Sequence, residues 1–340
     1  MRVTNKMLSD NFLVNMRNNM NNLQTIQKQM ATQKEINKAS DDPVKAARIM
    51  QLNTDISSNI QYNSNITDVT SFLDTTDSAL GQAGDVLGRV RDLLVASGNG
   101  TYSQQEKDAL KDEINTKIGE LSQVMNTNYD GKFIFAGTRS DVKPVGTSID
   151  LTNTKGNTKL IYNSNDAVNP ELDIISTTGK IQLSQISGKL TTEISEGVKV
   201  DYNVSASDVL QFKNSSGTSI DLRDVLKKIV NHLDGNNDAG TAVDANATTI
   251  LNTTDLQNVT DVINNLLSIR SKVGATENRM DSAKERNLTE NTNMTDMLSK
   301  TEDIDIAQKT IDYATSQTVY TAALQTSAKI IQPSLLDYLR

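Results

Sequence analysis

The stretch ITDVTSFLDTTDSALGQAGDVLGRVRDLL, residues 66–94, decides the fold class. Ile66, Leu73, Leu80, Leu87 and Leu94 stand seven apart, and Val69, Thr76, Ala83 and Val90 stand three after the first four of them. A heptad spacing sustained over this length describes one face of a helix packed on partner helices; a strand alternates with period two. Upstream, Ser40-Asp41-Asp42-Pro43 marks the start, with proline at the first helical position and an aspartate before it. Downstream, Ser97-Gly98-Asn99-Gly100 reads as a turn. The spacing therefore predicts one helix from 43 to about 97, roughly 80 Å long. Gly81, Gly84 and Gly88 interrupt it; each costs about 1 kcal/mol relative to alanine or permits close approach of another helix.

The pattern continues beyond the turn. Ser103 followed by Glu106 is a capping box, and Leu110, Ile114, Leu121 and Met125 continue as an antiparallel helix. Asp130-Gly131 reads as a tight turn before a strand-like 132–136. From Gly137 the pattern changes to short strands at 149–151, 159–162, 172–175, 190–194 and 198–204, separated by Thr, Ser, Asn and Gly. Residues 208–234 return to helix, 235–249 are a soft polar stretch, and from Asp255 the helical pattern runs to about Ser327. Pro333 stops it, ahead of an apolar end at Leu335, Leu336, Tyr338 and Leu339.

The first 40 residues carry a thinner seam, Leu13, Met16, Met20, Leu23 and Met30, with Gln27 filling one slot and many Asn and Gln around it. At the other end Met297, Ile304 and Ile311 stand seven apart before the seam shifts to Val319, Ala322, Ala323 and Ile330. Asparagine is a poor helix former, and an isolated helix of this kind is marginal. So narrow an apolar stripe does not offset an ordering cost of about 1–2 kcal/mol per residue. Both ends are therefore expected to be unstructured in the free monomer and to pair as helices on assembly. The candidate assembly residues are Leu13, Met16, Met20, Leu23 and Met30 at one end, and Ile304, Ile311, Val319, Ala323, Ile330, Leu335, Leu336 and Leu339 at the other. Residues 1–40 carry Arg2, Lys6, Arg17, Lys28, Lys34 and Lys38 against Asp10 and Glu35, a net +4. Residues 301–340 carry Lys309, Lys329 and Arg340 against Glu302, Asp303, Asp305, Asp312 and Asp337, a net −2, which favours pairing modestly.

The expected fold is mainly α with a β insert, a long antiparallel bundle of N- and C-terminal segments plus a small β domain. The expected division is a terminal helical pair (1–42 with 300–340), a helical bundle (43–137 with 206–299) and a β-rich domain (138–205). The last is expected to fold separately, so that its loss spares the helical body.

Composition argues against most chemistry. Aromatic residues make up 4% of the 340 and there is no Trp, which is low for a compact enzyme. The net charge is −8 with Lys and Arg scattered, so nucleic acid is not an expected partner. There is no Cys, hence no disulfide and no thiolate nucleophile or metal ligand. The start lacks the apolar core of a cleaved signal peptide, and no 18-residue apolar run exists to span a membrane. A protein working outside the cell would leave by a route without a cleaved signal. His232, the single histidine, reads as solvated or capping a helix C-terminus. Asp234-Gly-Asn236-Asn-Asp238 resembles the first half of an EF-hand loop, but Ala239 and Ala245 stand where Gly and Glu are required. Asp41/Asp42 and Glu302/Asp303/Asp305 sit at helix starts, where carboxylates cap. No catalytic, metal-binding or cofactor-binding residue is expected, and the chain does not read as an enzyme.

Five motifs together resemble the bacterial flagellin superfamily and, within it, the hook–filament junction family. They are Met1-Arg-Val-Thr-Asn-Lys-Met7, Ala39-Ser-Asp-Asp-Pro43, Tyr129-Asp-Gly-Lys-Phe-Ile-Phe-Ala-Gly137, Glu277-Asn-Arg-Met-Asp281 and Pro333-Ser-Leu-Leu-Asp-Tyr-Leu339. The Phe-Ile-Phe-Ala-Gly and Ser-Leu-Leu-Asp-Tyr-Leu segments point to the junction family over filament flagellin. The resemblance covers about 1–137 and 255–340. It implies a stacked helical rod whose copies form a ring between the first hook-associated junction protein and filament flagellin. It also implies export unfolded through the flagellar type III apparatus, a dedicated export chaperone on the C-terminal helical region, an extracellular location in the flagellum and no cofactor. Filament flagellin itself is the alternative. A glycan-binding or hydrolytic domain on a structural stem is a further one, which exposed aromatics or paired carboxylates in 138–215 would support.

Overall fold

The computed structural model describes residues 5–98, 102–151, 155–166, 169–214 and 216–331. In chain order the elements are α1 (Asn5–Thr32), α2 (Pro43–Ser97), α3 (Gln104–Met125), β1 (Asn128–Tyr129), β2 (Lys132–Phe133), β3 (Val145–Ile149), β4 (Thr158–Tyr162), α4 (Thr177–Ile186), β5 (Thr191–Ser195) and β6 (Val198–Asp201). Then follow α5 (Ala206–Leu210), β7 (Gln211–Lys213), β8 (Ser219–Asp221), α6 (Leu222–Leu233), α7 (Ala247–Ile250), a π-helical turn (Leu251–Asp255), α8 (Leu256–Glu302) and α9 (Ile306–Ile331). The chain divides into two compact units, Met1–Gln61 with Leu288–Arg340, and Tyr62–Asn287. The fold is mainly α, with small antiparallel hairpins β1–β2, β3–β4, β5–β6 and β7–β8.

In the Tyr62–Asn287 unit the heptad does what its spacing predicts. Ile66, Leu73, Leu80, Leu87 and Leu94 are each no more than 1% exposed and belong to one hydrophobic cluster. Thr76, the polar member of the seam, turns its hydroxyl onto the Phe72 carbonyl at 2.8 Å. α8 packs antiparallel to α2: Arg270 forks onto Asp77 with two bonds of 2.8 Å, and a Cβ added at Gly84 would meet Leu266 at 3.4 Å. Gly84 thus marks a close helix approach. The capping box of α3 is present, with the Ser103 N–H donating to Glu106 Oε2 at 2.6 Å and the Ser103 hydroxyl accepting from the Glu106 N–H. Asp130 and Gly131 both take positive φ, 50° and 77°, as the two-residue turn of β1–β2 requires.

The chain departs from the sequence reading in several places: the strand expected at 132–136 ends at Phe133, and the one expected at 149–151 runs Val145–Ile149. Residues 172–175 form no strand, and 177–186 form a helix, α4, capped by the Ser176 hydroxyl on the Gly179 N–H at 3.0 Å. α4 has too few apolar positions to show a period, so the cap decides it. The expected helix 208–234 is split by the hairpin β7–β8, whose turn Asn214 Oδ1 closes by accepting the Ser216 and Thr218 N–H groups. The expected helix from 255 to 327 breaks after Glu302, and Asp305 starts a new one by accepting the Gln308 N–H at 3.1 Å.

The packing also differs from the three-part division. Val145, Leu160, Tyr162, Leu172, Ile186, Ile194 and Val200, all within 138–205, share one hydrophobic cluster with the heptad of α2, with Ile114, Ile118 and Leu121 of α3, and with Leu222 and Leu226 of α6. β3 and β4 lie against α3, and β4 against α6. The alternation of β4 is lost at its end, with Leu160, Ile161 and Tyr162 all buried where the strand meets α3 and α6, while β3 keeps its alternation and exposes Thr147 and Ile149. The compact unit's boundaries fall at 61/62 and 287/288, inside continuous helices, where no turn or composition change marks them.

Candidate assembly interface

The unit formed by Met1–Gln61 with Leu288–Arg340 holds the candidate assembly residues. Its α1 and α9 pack on each other and run antiparallel: Lys34 pairs with Asp303, and further along the Tyr320 hydroxyl meets the Met20 sulfur at 3.8 Å. A short backbone clasp joins their bases. The Glu35 N–H donates to the Glu302 carbonyl at 2.6 Å, the Ile304 N–H donates to the Gln33 carbonyl at 3.2 Å, and Lys34 pairs with Glu302. Gln33 adopts a φ of 59°, which turns the chain out of α1 into this clasp. Asp41 Oδ2 then receives the Asn37 and Lys38 N–H groups, and Asp42 Oδ1 receives those of Val44 and Lys45 at 3.0 and 3.1 Å, capping α2 ahead of its proline. Asp42 is a helix cap, as its position predicts, whereas Asp41 closes the turn before it. Glu302 and Asp303 belong to the clasp.

The stripe by which α1 meets α9 is not quite the seam read from sequence. Phe12, Met16, Asn19, Leu23, Ile26 and Met30 are half-buried, whereas Leu13 is 51% exposed and Met20, 43% exposed, sits at the edge of the stripe with its sulfur on the Tyr320 hydroxyl. Met16, Leu23 and Met30 are common to both readings. Phe12 and Ile26 were missed because Asn19 stands between them where an apolar residue would have revealed the register. On α9 the inward side is Tyr313, Ser316, Tyr320 and Ala323. Of the sequence candidates here, Ala323 is on that side, Ile311 (60%) and Val319 (53%) are exposed, and Ile304 is half-buried in the clasp. α9 carries apolar residues on all sides, so its inward face has no sequence signal. The side chain of Ile330, and all of Leu335, Leu336 and Leu339, lie outside the described residues.

None of the described side chains of α1 or α9 is fully buried. The two helices leave Leu13, Val14 and Met20 on one, and Ile306, Ile311, Val319 and Leu324 on the other, in solvent after they have paired. Both paired helices thus keep large apolar side chains exposed.

A second polar arrangement, in the Tyr62–Asn287 unit, is structural. His232 is buried, not solvated or capping: its Nδ1 lies 2.6 Å from Asp255 Oδ2 and its Nε2 lies 2.9 Å from Asp238 Oδ1, and Asp238 also pairs with Lys228 at 2.8 Å. Burial alone would lower the imidazole pKa; the two carboxylates outweigh it and raise it, favouring the protonated ring. This clamp ties the end of α6 to the polar loop and to the π-helical turn. Asp234, the first residue of the EF-hand-like run, is satisfied by Lys111 at 2.8 Å, Lys155 at 3.0 Å and Asn157 at 2.7 Å. Among the described residues no group of three or more acidic or histidine side chains is placed to hold a metal ion, and no helix is long and apolar enough to cross a membrane.

Two family models match this arrangement of helical ends around a different middle. The bacterial flagellin N-terminal helical region matches residues 3–140, and the bacterial flagellin C-terminal helical region matches 256–339. The chain belongs to the flagellin family. As a member it is a structural, non-enzymatic component of the bacterial flagellum. A flagellin of Clostridium tyrobutyricum is 24% identical over 92% of this chain and 94% of that one. Among solved structures, flagellar hook-associated protein 3 of Legionella pneumophila superposes with a TM-score of 0.57 at 15% identity, over 74% of this chain and 98% of that one. A hook-associated protein of Vibrio parahaemolyticus gives 0.55 at 18% identity, over 77% and 100%. These two likenesses establish the fold. The stretch between the family regions, 141–255, contains every hairpin except β1–β2. In this flagellin-family chain the junction-type motif at 133–137 reaches the core: Ile134, Phe135 and Ala136 are buried, and the Phe135 carbonyl accepts the Ala206 N–H at 2.8 Å.

Proposed function

We propose that the protein is a hook–filament junction subunit, in which the α1–α9 pair packs against neighbouring copies and against the flagellar proteins on either side. The carrying observation is the pair's incomplete burial: with no fully buried described side chain on either helix, it needs neighbouring surface to repay its ordering cost. The Phe133–Gly137 motif, buried from Ile134 on, and the superposition on two hook-associated structures favour the junction role. In this reading the copies form a ring between the first junction protein and filament flagellin and template filament growth. The chain leaves the cell unfolded by the flagellar type III route, with a chaperone holding its C-terminal helical region.

The deciding experiment removes the gene. A junction subunit's loss leaves hooks capped by the first junction protein while flagellin accumulates in the medium; loss of the bulk filament protein leaves no flagellin to leak. The second reading, filament flagellin, draws on the match to the C. tyrobutyricum flagellin along nearly the whole length of both chains. Copy number per filament separates the two, a handful at the base against the bulk of the polymer.

A further inference from the structure

The methionines of this chain are partitioned between the two units in number and in exposure. Of ten, only Met125 and Met280 lie in Tyr62–Asn287, and both are completely buried. The other eight fall in the smaller unit. Met7, Met20, Met50 and Met297 are exposed at 58, 43, 61 and 40%, and Met16, Met30 and Met294 are half-buried. The large unit fills equivalent seam positions with leucine. A thioether adapts its shape to more than one partner, which suits a surface that must pack on unlike neighbours. It is also the chain's most oxidisable side chain, because there is no cysteine. Two of the exposed sulfurs already serve as acceptors, Met297 for Arg48 Nη2 at 3.2 Å and Met20 for the Tyr320 hydroxyl.

We propose that these methionines are an oxidative modification site that governs whether the free subunit assembles. The sulfur lone pair attacks one oxygen of a peroxide. An S–O bond forms, the O–O bond breaks, and the departing hydroxide takes up the proton released by the transferred oxygen, giving a sulfoxide and one water. Sulfur is oxidised by two electrons and the peroxide is reduced by two. The product is polar and chiral where the seam needs an adaptable apolar side chain, so the modified surface cannot desolvate against a neighbour. The buried Met125 and Met280 are spared, and the large unit keeps its fold. Of the exposed sulfurs, Met7 and Met20 lie on α1 and would be covered by assembly, so their vulnerable interval lies between release of the chain and incorporation. The inference rests on the reading of α1 and α9 as the assembly surface.

The test treats purified full-length protein with hydrogen peroxide and maps sulfoxides by peptide mass spectrometry. Met7, Met20, Met50 and Met297 should oxidise first, with Met125 and Met280 unmodified and the main melting transition unchanged. Co-sedimentation with hooks from cells lacking this protein should then fall at least about tenfold and return after methionine sulfoxide reductase treatment. A variant with leucine at the seven described positions should resist the oxidant. Oxidation of Met125 and Met280 at the same rate as Met20, or undiminished binding by the oxidised protein, overturns the inference. If untreated protein does not bind hooks at all, it is the assembly reading that fails.

Discussion

Replacing residues 138–205 with a short Gly/Ser linker tests the packing most severely. The sequence reads this segment as a domain that can be lost; the structure builds it into the core of Tyr62–Asn287. Taking only Val145, Leu160 and Tyr162 of the β3–β4 hairpin, which lies against α3 and α6, the apolar burial forfeited is about 5–9 kcal/mol at roughly 1.5–3 kcal/mol per side chain. Polar groups, one buried and one half-buried, are orphaned as well. The Asn287 amide loses the Ile194 carbonyl at 2.8 Å and the Asn126 amide loses the Val145 carbonyl at 2.7 Å, each costing about 1–3 kcal/mol. The Arg223 guanidinium, stacked 4.4 Å from the Tyr162 ring centre, loses that face. Together these match a whole domain's net stability of about 5–15 kcal/mol. The shortened protein should keep much of its far-UV helical signal while losing its cooperative melt and binding a hydrophobic dye. A cooperative transition at the parent temperature would refute the reasoning and restore 138–205 as an independent domain.

Aspartate at Leu13 or Leu23 should block incorporation into flagella in vivo while leaving the main melting transition of the purified monomer unchanged, because neither side chain is fully buried in the free chain; normal incorporation of both would sink the assembly surface. Limited proteolysis of the soluble monomer should remove the two ends first and leave a core of about 42–300, since the α1–α9 pair buries too little to hold against an ordering cost of about 1–2 kcal/mol per residue; protection of 10–35 would contradict this. The His232 pKa is raised on folding, so the clamp's contribution is complete below the unfolded value of about 6.5 and is lost as pH rises through the folded one. Denaturant titrations at several pH values should show that component of stability declining as pH rises above about 6.5, and His232→Gln should abolish it; an unchanged pH slope in the variant would assign the effect elsewhere. Gly137→Ala places a Cβ 2.3 Å from the Ile186 carbonyl oxygen at a φ of 60° and should cost at least about 2 kcal/mol by denaturant unfolding.

Local signals fixed the helical frame in advance. The heptad of α2, its proline start and the capping box of α3 act within one helix, and each depends on residues no more than seven apart, so spacing alone reveals them. The positive φ pair at Asp130-Gly131 is local in the same sense. The cap at Asp305 was local too and legible as such, although the apolar period that runs through it hid the break in the helix.

What only the tertiary structure decided is what lies against what. Whether 138–205 stands apart or enters the core depends on β4 packing against both α3 and α6, and strand alternation in the sequence does not say what lies against a strand. The register of α1 against α9 turned on Asn19 and Tyr320, polar or mixed residues whose inward placement pays only in the pair. His232 is buried with its protonated form favoured because Asp238 and Asp255, six and 23 residues away in sequence, converge on its two nitrogens. Sequence periodicity reports which side of an element avoids water. The partner that relieves it of water is a long-range fact, set by the three-dimensional path of the chain and, for α1 and α9, by neighbours outside it.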